Sequence, residues 1–405
     1  MNPAEAPVLR KYTPGRQEAA RLRLSASSAE TTLLHPSEIS AALLAEWEVL
    51  GSNATEPNPF AEAWYVMLGL GSLAGADDIR ILAVRDPACG LAGILPLCIR
   101  NHYGRLPVRH VENWLHGNAF LGTPLVKPGQ EMRFWRTVLQ TLDRSDWAPG
   151  FLHLVGLVEG GPVFQGLQRA AAALGRECSV VLRQDRPQAE TELSAEAYLQ
   201  RNLSAKRRSE YGRRRRNLAK LGHIELRELT NADELPGWCE DFLRLEQAGW
   251  KGEAGSALAC SEGTSRFFRE VMREAFARGS LHFIRLDLDG APIAMQSSLV
   301  APPGAFGFKA CFDENFARFS PGLLLQIEGL TLIDREDIHW EDSCAAADHP
   351  VASLWSERRS ILRVTIPLSG LRRRILHVGA RALEQSSLRF RRLRGAKAGL
   401  RENPR

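Results

Sequence analysis

Phe312-Asp-Glu-Asn-Phe-Ala-Arg-Phe-Ser-Pro-Gly-Leu-Leu-Leu325 is the stretch on which the reading of this chain turns. It leaves a β-rich run, Ala305 to Phe312, and opens an apolar helical run. Pro321 suits a first helical turn, where its missing N–H would find no partner anyway, and Gly322 lets a ligand approach the backbone. A helix start carries about half a positive charge, so Ser320, Gly322, Leu323 and Leu324 form a candidate phosphate cradle with Arg318 close by in sequence. The same letters also fit an ordinary proline-capped helix packed by Leu323, Leu324, Leu325 and Ile327, and spacing alone leaves both readings open.

Working outward, one order of elements occurs twice. Around the cradle, the patterns predict an extended His223 to Glu228, helices at 232–247 and 262–278, and strands at Leu281 to Leu288, Pro292 to Val300 and Ala305 to Phe312. A helix at 321–333, a strand at Ile338 to Glu341, a helix at Val351 to Arg359 and a strand at Leu362 to Ile366 follow. The earlier copy reads as helices at 36–50 and 60–68, strands at 81–85, 91–99 and 108–114, and a helix at 131–142. It closes with a strand at 151–157, a helix at 162–174 and a strand at 179–183. Helices interleaved with strands in this order predict an α/β fold with a mixed sheet, built twice. In the first copy, Phe120-Leu-Gly-Thr-Pro-Leu-Val-Lys-Pro-Gly-Gln130 holds two prolines and no compact turn into the helix, so one site is expected, in the second copy.

At 405 residues the chain is long enough for two domains, and its 44% hydrophobic and 24% charged residues fit a globular protein with a sizeable core. The longest apolar runs fall far short of the roughly 20 residues a membrane-spanning helix needs. Seven cysteines, without a C-x-x-C pair or a histidine at metal-ligand spacing, read as reduced thiols of a cytoplasmic protein with no metal. Positive charge is concentrated. Arg201 to Lys220 holds nine Lys or Arg against Glu210, and Leu371 to Arg405 holds eleven against Glu384 and Glu402.

Three stretches, Phe242 to Leu258, Phe312 to Leu325 and Asp342 to Pro350, resemble the CelD-like acetyltransferase domain, a branch of the GNAT superfamily related to the Fem aminoacyltransferases. The resemblance covers roughly residues 240–360; through 36–200 it is one of architecture. It implies two tandem GNAT-like folds, with residues 1–30 as a loose tail, 31–195 a first domain without a donor site, 196–222 a basic connector helix, 223–370 the domain with the acyl-CoA site, and 371–405 a basic tail. It also implies acetyl-CoA or another acyl-CoA as donor, an amine or hydroxyl of a sugar or small metabolite as acceptor, and a link to cellulose or exopolysaccharide production. The usual GNAT loop has further glycines; here Gly322 alone remains.

Acyl transfer to an amine with an ordinary pKa of about 10.4 calls for a general base. Asp342 is the preferred base and Glu246 the second; both also suit ordinary capping or solvated roles. Trp250 and Lys251, in the Gly249-Trp250-Lys251-Gly252 turn, are expected to meet the acceptor, together with Lys309, Asp313 and His349. Lys309 would hold an anionic acceptor or polarise the thioester carbonyl. The Arg201–Lys220 segment is a cationic helix suited to phosphate or to a solvated connector, and nucleic acid is not the expected partner. Leu371, Ile375, Val378 and Ala382 share one helical face ringed by arginine, which suits either an anionic membrane surface or packing on the core. Two rival functions stay open: a Fem-like transferase that draws on charged tRNA, and a non-catalytic CoA-binding scaffold.

Overall fold

The computed structural model describes residues 30–75 and 77–384. The tail at 1–29 and the end of the basic segment at 385–405 lie outside the described residues. In the first half the elements are β1 (Glu30–Leu34), α1 (Ala41–Ser52), α2 (Ala63–Leu73), β2 (Ile79–Asp86), β3 (Gly90–Arg100), β4 (His110–Asn113), β5 (Leu125–Val126), α3 (Glu131–Arg144), β6 (Phe151–Val158), α4 (Pro162–Ala173) and β7 (Ser179–Glu190). Then come α5 (Ala195–Asn202) and the basic α6 (Ala205–Leu218). The second half holds β8 (Ile224–Glu228), α7 (Leu235–Ala248), the short α8 (Trp250–Glu253), α9 (Glu262–Ala277), β9 (Leu281–Leu288), β10 (Ala291–Ala301), β11 (Gly304–Phe312), α10 (Pro321–Glu328), β12 (Trp340–Asp342) and β13 (Glu357–Pro367). Residues 371–384 are helical.

The helices form where apolar residues recur at helical spacing. In α3, Phe134, Trp135, Val138, Leu139 and Leu142 are buried; in α9, Phe267, Phe268, Val271, Met272 and Ala275 are. Each such large side chain contributes about 1.5–3 kcal/mol of burial, so these stripes hold the helices against the sheet faces. One expected helix is absent: Val351 to Arg359 makes only a 3-10 turn, Pro350–Ser353, and β13 already begins at Glu357. The stretch has Pro350 at its start and Trp355 and Leu354 buried beside Tyr198 of α5, so tertiary packing overrides its helical pattern.

The strands join into one mixed sheet in the order β1-β2-β3-β4-β6-β13-β7-β12-β11-β10-β9-β8, with β5 pairing β3 off this path. The last strands of the two halves are exchanged. β13 lies between β6 and β7, pairing Ile361 with Val158 on one side and Gln184 on the other, and β7 passes on to pair Glu190 with Trp340 of β12. The mixed α/β sheet expected from the sequence is therefore present, but as a single sheet in which each half finishes the other.

Candidate functional site

The site begins at a fork. β11 pairs with β10 along its length, yet it meets β12 only where Gly304, Ala305 and Phe306 run parallel to Trp340, Glu341 and Asp342. Beyond Phe306 the two strands part, and Gly307 sits in the crotch, where a Cβ would lie 2.7 Å from the Ser343 carbonyl oxygen. The wedge opens into a cleft of about 470 Å³ lined by the end of β11, residues 343–345, the start of α10, the Trp250 turn and Trp355.

At the start of α10, Ser320 adopts φ 55° and ψ 55°, a left-handed conformation that turns the chain sharply out of the 3-10 segment Glu314–Phe319. The Ser320 carbonyl accepts from both Leu323 N–H and Leu324 N–H at 3.0 Å. Among the described residues this leaves the N–H of Gly322, a residue that lines the cleft, without a partner. Leu324 is packed in the core beneath and does not line the cleft, so of the expected cradle Ser320, Gly322 and Leu323 border the space. Arg318 points elsewhere, its guanidinium 4.7 Å from the Phe319 ring. Arg214, from α6, donates to Ser320 Oγ while ion-paired with Glu210. The sequence marked the cationic segment but not which of its arginines reaches the cradle.

Two residues bordering the cleft each hold a buried polar atom without a hydrogen-bond partner among the described residues: the Trp355 indole N–H and Gln326 Oε1. Unpaired groups of this kind are costly in a dry interior and are suited to a ligand.

The expected acceptor residues divide. Trp250 stands at the rim, 58% exposed, with its backbone N–H donated to Glu314 Oε1 at 2.7 Å. Lys251 is tied down: its Nζ donates to Glu246 Oε1 at 2.8 Å and to the Ala310 carbonyl at 2.9 Å. Glu246 is buried, and its other oxygen accepts from Leu258 N–H at 2.8 Å. With both oxygens engaged, Glu246 anchors the Trp250 turn and is no free base. Asp313 caps the turn after it by accepting from Asn315 N–H and does not border the cleft.

Asp342, the expected base, does not reach the cleft either. It is fully buried away from the cleft, accepts from Cys344 N–H at 2.8 Å, and faces Arg186 and Arg359 at 3.7 and 3.6 Å. Strand alternation accounts for this, because its neighbour Glu341 points the other way, to Ser298 Oγ at 3.1 Å.

Lys309 and His349 do border the cleft. Lys309 Nζ donates to Asn118 Oδ1 at 2.6 Å and lies 5.0 and 5.5 Å from the ring centres of Phe120 and Phe308. Burial lowers its pKa to about 8, against a smaller opposing pull from Glu246. No carboxylate pairs with it among the described residues. His349 accepts from Val351 N–H through Nδ1 at 3.2 Å, so its neutral ring carries the proton on Nε2; burial, then Lys251, lowers its pKa. Burial pushes the Cys344 thiol well up, which makes it no thiolate.

The first half repeats the fork and fills it. β4 and β6 pair only at Val111–Leu152 and Glu112–His153, after which the Asn113 side chain bridges the gap to Val155 N–H and C=O at 2.8 Å. Gly122 threads beside it, its N–H on the Gly156 carbonyl, so close that a Cβ would stand 1.9 Å from Val155 O. The loop that plugs the first fork also carries Asn118 and Phe120 into the second, so the first half supplies a wall of the cleft.

One possible metal-ligand set escaped the sequence reading, since it is assembled across strands. His110, Glu112 and His153 each place a ligand atom within 4.8 Å of the others, with His153 Nδ1 3.0 Å from Glu112 Oε2. His110 Nδ1 meets the Val108 carbonyl and so carries its proton, leaving Nε2 bare. The Arg100 guanidinium, 3.2 Å from Glu112 Oε1, already supplies a positive charge there and opposes a bound cation.

Among known proteins, residues 205–349 match the family described as Acetyltransferase (GNAT) domain. No curated protein matches the chain. Solved structures share the fold at low identity. FemX superposes with a TM-score of 0.53 at 9% identity, over 82% of this chain and 96% of its own. A conserved protein of unknown function from Bacteroides thetaiotaomicron gives 0.51 at 10%, over 84% and 100%. The C-terminal domain of a candidate lysylphosphatidylglycerol synthetase from Agrobacterium fabrum gives 0.51 at 10%, over 86% and 96%.

Proposed function

We propose, from a GNAT-type fold with an open fork in its second half, that the chain moves an acyl group, acetyl by preference, from CoA to an amine. The observation that carries this reading is the fork itself: a strand edge released by its neighbour, ending at a helix start whose Gly322 N–H is unpartnered. Pyrophosphate would meet the Gly322 N–H and Arg214, and the Trp355 N–H and Gln326 amide oxygen would find partners along the rest of the donor.

Apart from Glu314 at the rim, whose Oε1 holds the Trp250 N–H, the cleft lining offers hydrogen-bond donors rather than free bases. Lys309 as ammonium and the His349 Nε2–H are suited to the thioester oxygen as it becomes negative. Glu246 and Asp342 are committed elsewhere. A hydroxyl acceptor would need a base, whereas an amine that is already partly neutral, with a pKa of roughly 8 as for an α-amino group, does not. Its nitrogen attacks the carbonyl carbon, the C–S bond breaks, and the proton lost from nitrogen ends on the departing thiolate or on water. An amino sugar or amino-acid-like metabolite is therefore favoured over a plain alcohol. A place in cellulose or exopolysaccharide production rests on the CelD-like resemblance.

Calorimetry of acetyl-CoA on the wild type and on Gly322→Asp tests the donor site. A Cβ at Gly322 meets only Phe312 Cδ1, at 3.6 Å, so the variant should fold and lose binding through its added negative charge. A wild type that binds neither acetyl-CoA nor longer acyl-CoAs defeats the reading. A tRNA-borne aminoacyl donor is the second reading, favoured by the cationic α6 reaching the cradle through Arg214; it predicts turnover abolished by ribonuclease.

A further inference from the structure

The helix at 371–384 is amphipathic the wrong way round. Its inward face carries polar groups: His377 Nε2 meets Thr365 Oγ1 at 3.0 Å, Arg373 donates to the carbonyls of Asp143, Ser145 and Ala148, and Glu384 accepts from the Tyr103 hydroxyl at 2.9 Å. Its outward face carries Leu371, Ile375 and Val378, which are 76%, 64% and 65% exposed. At 100° per residue these three fall within one narrow stripe, opposite His377 and the buried Ala380. An ordinary surface helix would bury that stripe and expose the arginines. Here specific polar anchoring fixes an apolar ridge toward solvent, as in a surface kept for a partner.

The charge around the ridge names the partner. Arg372 and Arg374 flank it on either side and are exposed, and the chain continues through Arg389, Arg391, Arg392, Arg394, Lys397, Arg401 and Arg405 against Glu402. An apolar ridge seated among cations fits the boundary of an anionic bilayer, where apolar side chains enter the acyl region and arginines reach the headgroups. A protein groove would instead need carboxylates spaced to each arginine. We propose that residues 371–384 dock the protein peripherally on an anionic lipid surface, with Leu371, Ile375 and Val378 inserted. This is independent of the donor reading and would hold for any chemistry in the cleft.

Flotation of the full chain with vesicles of phosphatidylcholine alone, and of phosphatidylcholine with about one third phosphatidylglycerol, tests it. The expected result is flotation with the anionic vesicles only, weakened by salt, since each basic residue near such a surface contributes roughly fivefold in affinity. Ile375→Glu/Val378→Glu should reduce flotation at least tenfold with an unchanged melting temperature, because both side chains are exposed. Absence of wild-type flotation, or a double variant that floats as well as the wild type, overturns the proposal. So does a wild-type dimer that the same variant splits without any vesicle binding, which would assign the ridge to a second copy of the chain.

Discussion

Replacing Lys309 by Met should change stability and turnover along two different pH courses, and the structure sets both. Burial lowers the folded-state pKa of Lys309 from 10.5 to about 8. Between these values the unfolded chain binds more protons than the folded one, so wild-type stability rises with pH through this window. The charged form is disfavoured by about 3 kcal/mol below pH 8, and this penalty fades as pH approaches 10.5. Losing the hydrogen bond to Asn118 Oδ1 adds a roughly constant offset of about 1–3 kcal/mol, which drops out of the pH dependence. Urea denaturation at pH 7 and pH 10.5 should therefore show wild-type stability gaining about 3 kcal/mol on Lys309→Met across the range. Turnover, followed as CoA release, should fall about 10²–10³-fold in the variant if the ammonium meets the developing oxyanion. Wild-type activity should decline above about pH 8 as Lys309 deprotonates, and that descending limb should vanish in the variant. A stability difference that is flat with pH, or a variant turning over within threefold of wild type, would falsify the role.

Asp342→Asn should destabilise the protein by about 3–5 kcal/mol in chemical denaturation, since Arg186 and Arg359 would keep buried charge without a counterion, while the folded fraction retains its turnover. Glu341 has its pKa raised to about 7 by burial, so the folded state favours its protonated form and loses stability as pH climbs from 4.5 to 7. Glu341→Gln should then be near neutral at pH 4.5 and stabilising by about 3 kcal/mol at pH 8, as read by urea midpoints. Trp250→Ala should raise the KM for acceptor with little change in melting temperature, because the indole is largely solvent-exposed at the cleft rim; a melting shift with KM unchanged would make it a packing residue.

Local patterns announced most of the elements. The helix start at Pro321 was legible because Pro321 and Gly322 act through backbone geometry that does not depend on distant partners. The strands Leu281–Leu288 and Phe151–Val158 were legible because both are short runs rich in Leu, Ile, Val and Phe. What stayed hidden depends on pairing across the chain. Glu246 was read as a base because nothing local shows that Leu258 N–H and Lys251 take its oxygens. Asp342 follows a strand beside the cradle, but which face it occupies is set by register with β7. Arg214 reaches Ser320 from α6, and Asn118 reaches Lys309 from the first half, both across long separations in sequence. The short β1 was not expected from the sequence; its place is fixed by the β2 edge it covers.

The exchanged strands bear on how the protein is made. β6 emerges from the ribosome about 200 residues before β13, the strand that must lie beside it, so the first half waits with an unpaired apolar edge until β13 is synthesised. β7 waits likewise for β12. Neither lobe can be born finished, and a gene cut between them would yield two fragments with open edges rather than two small proteins. Any ancestral single lobe must have closed that edge with its own last strand or with a second copy of itself.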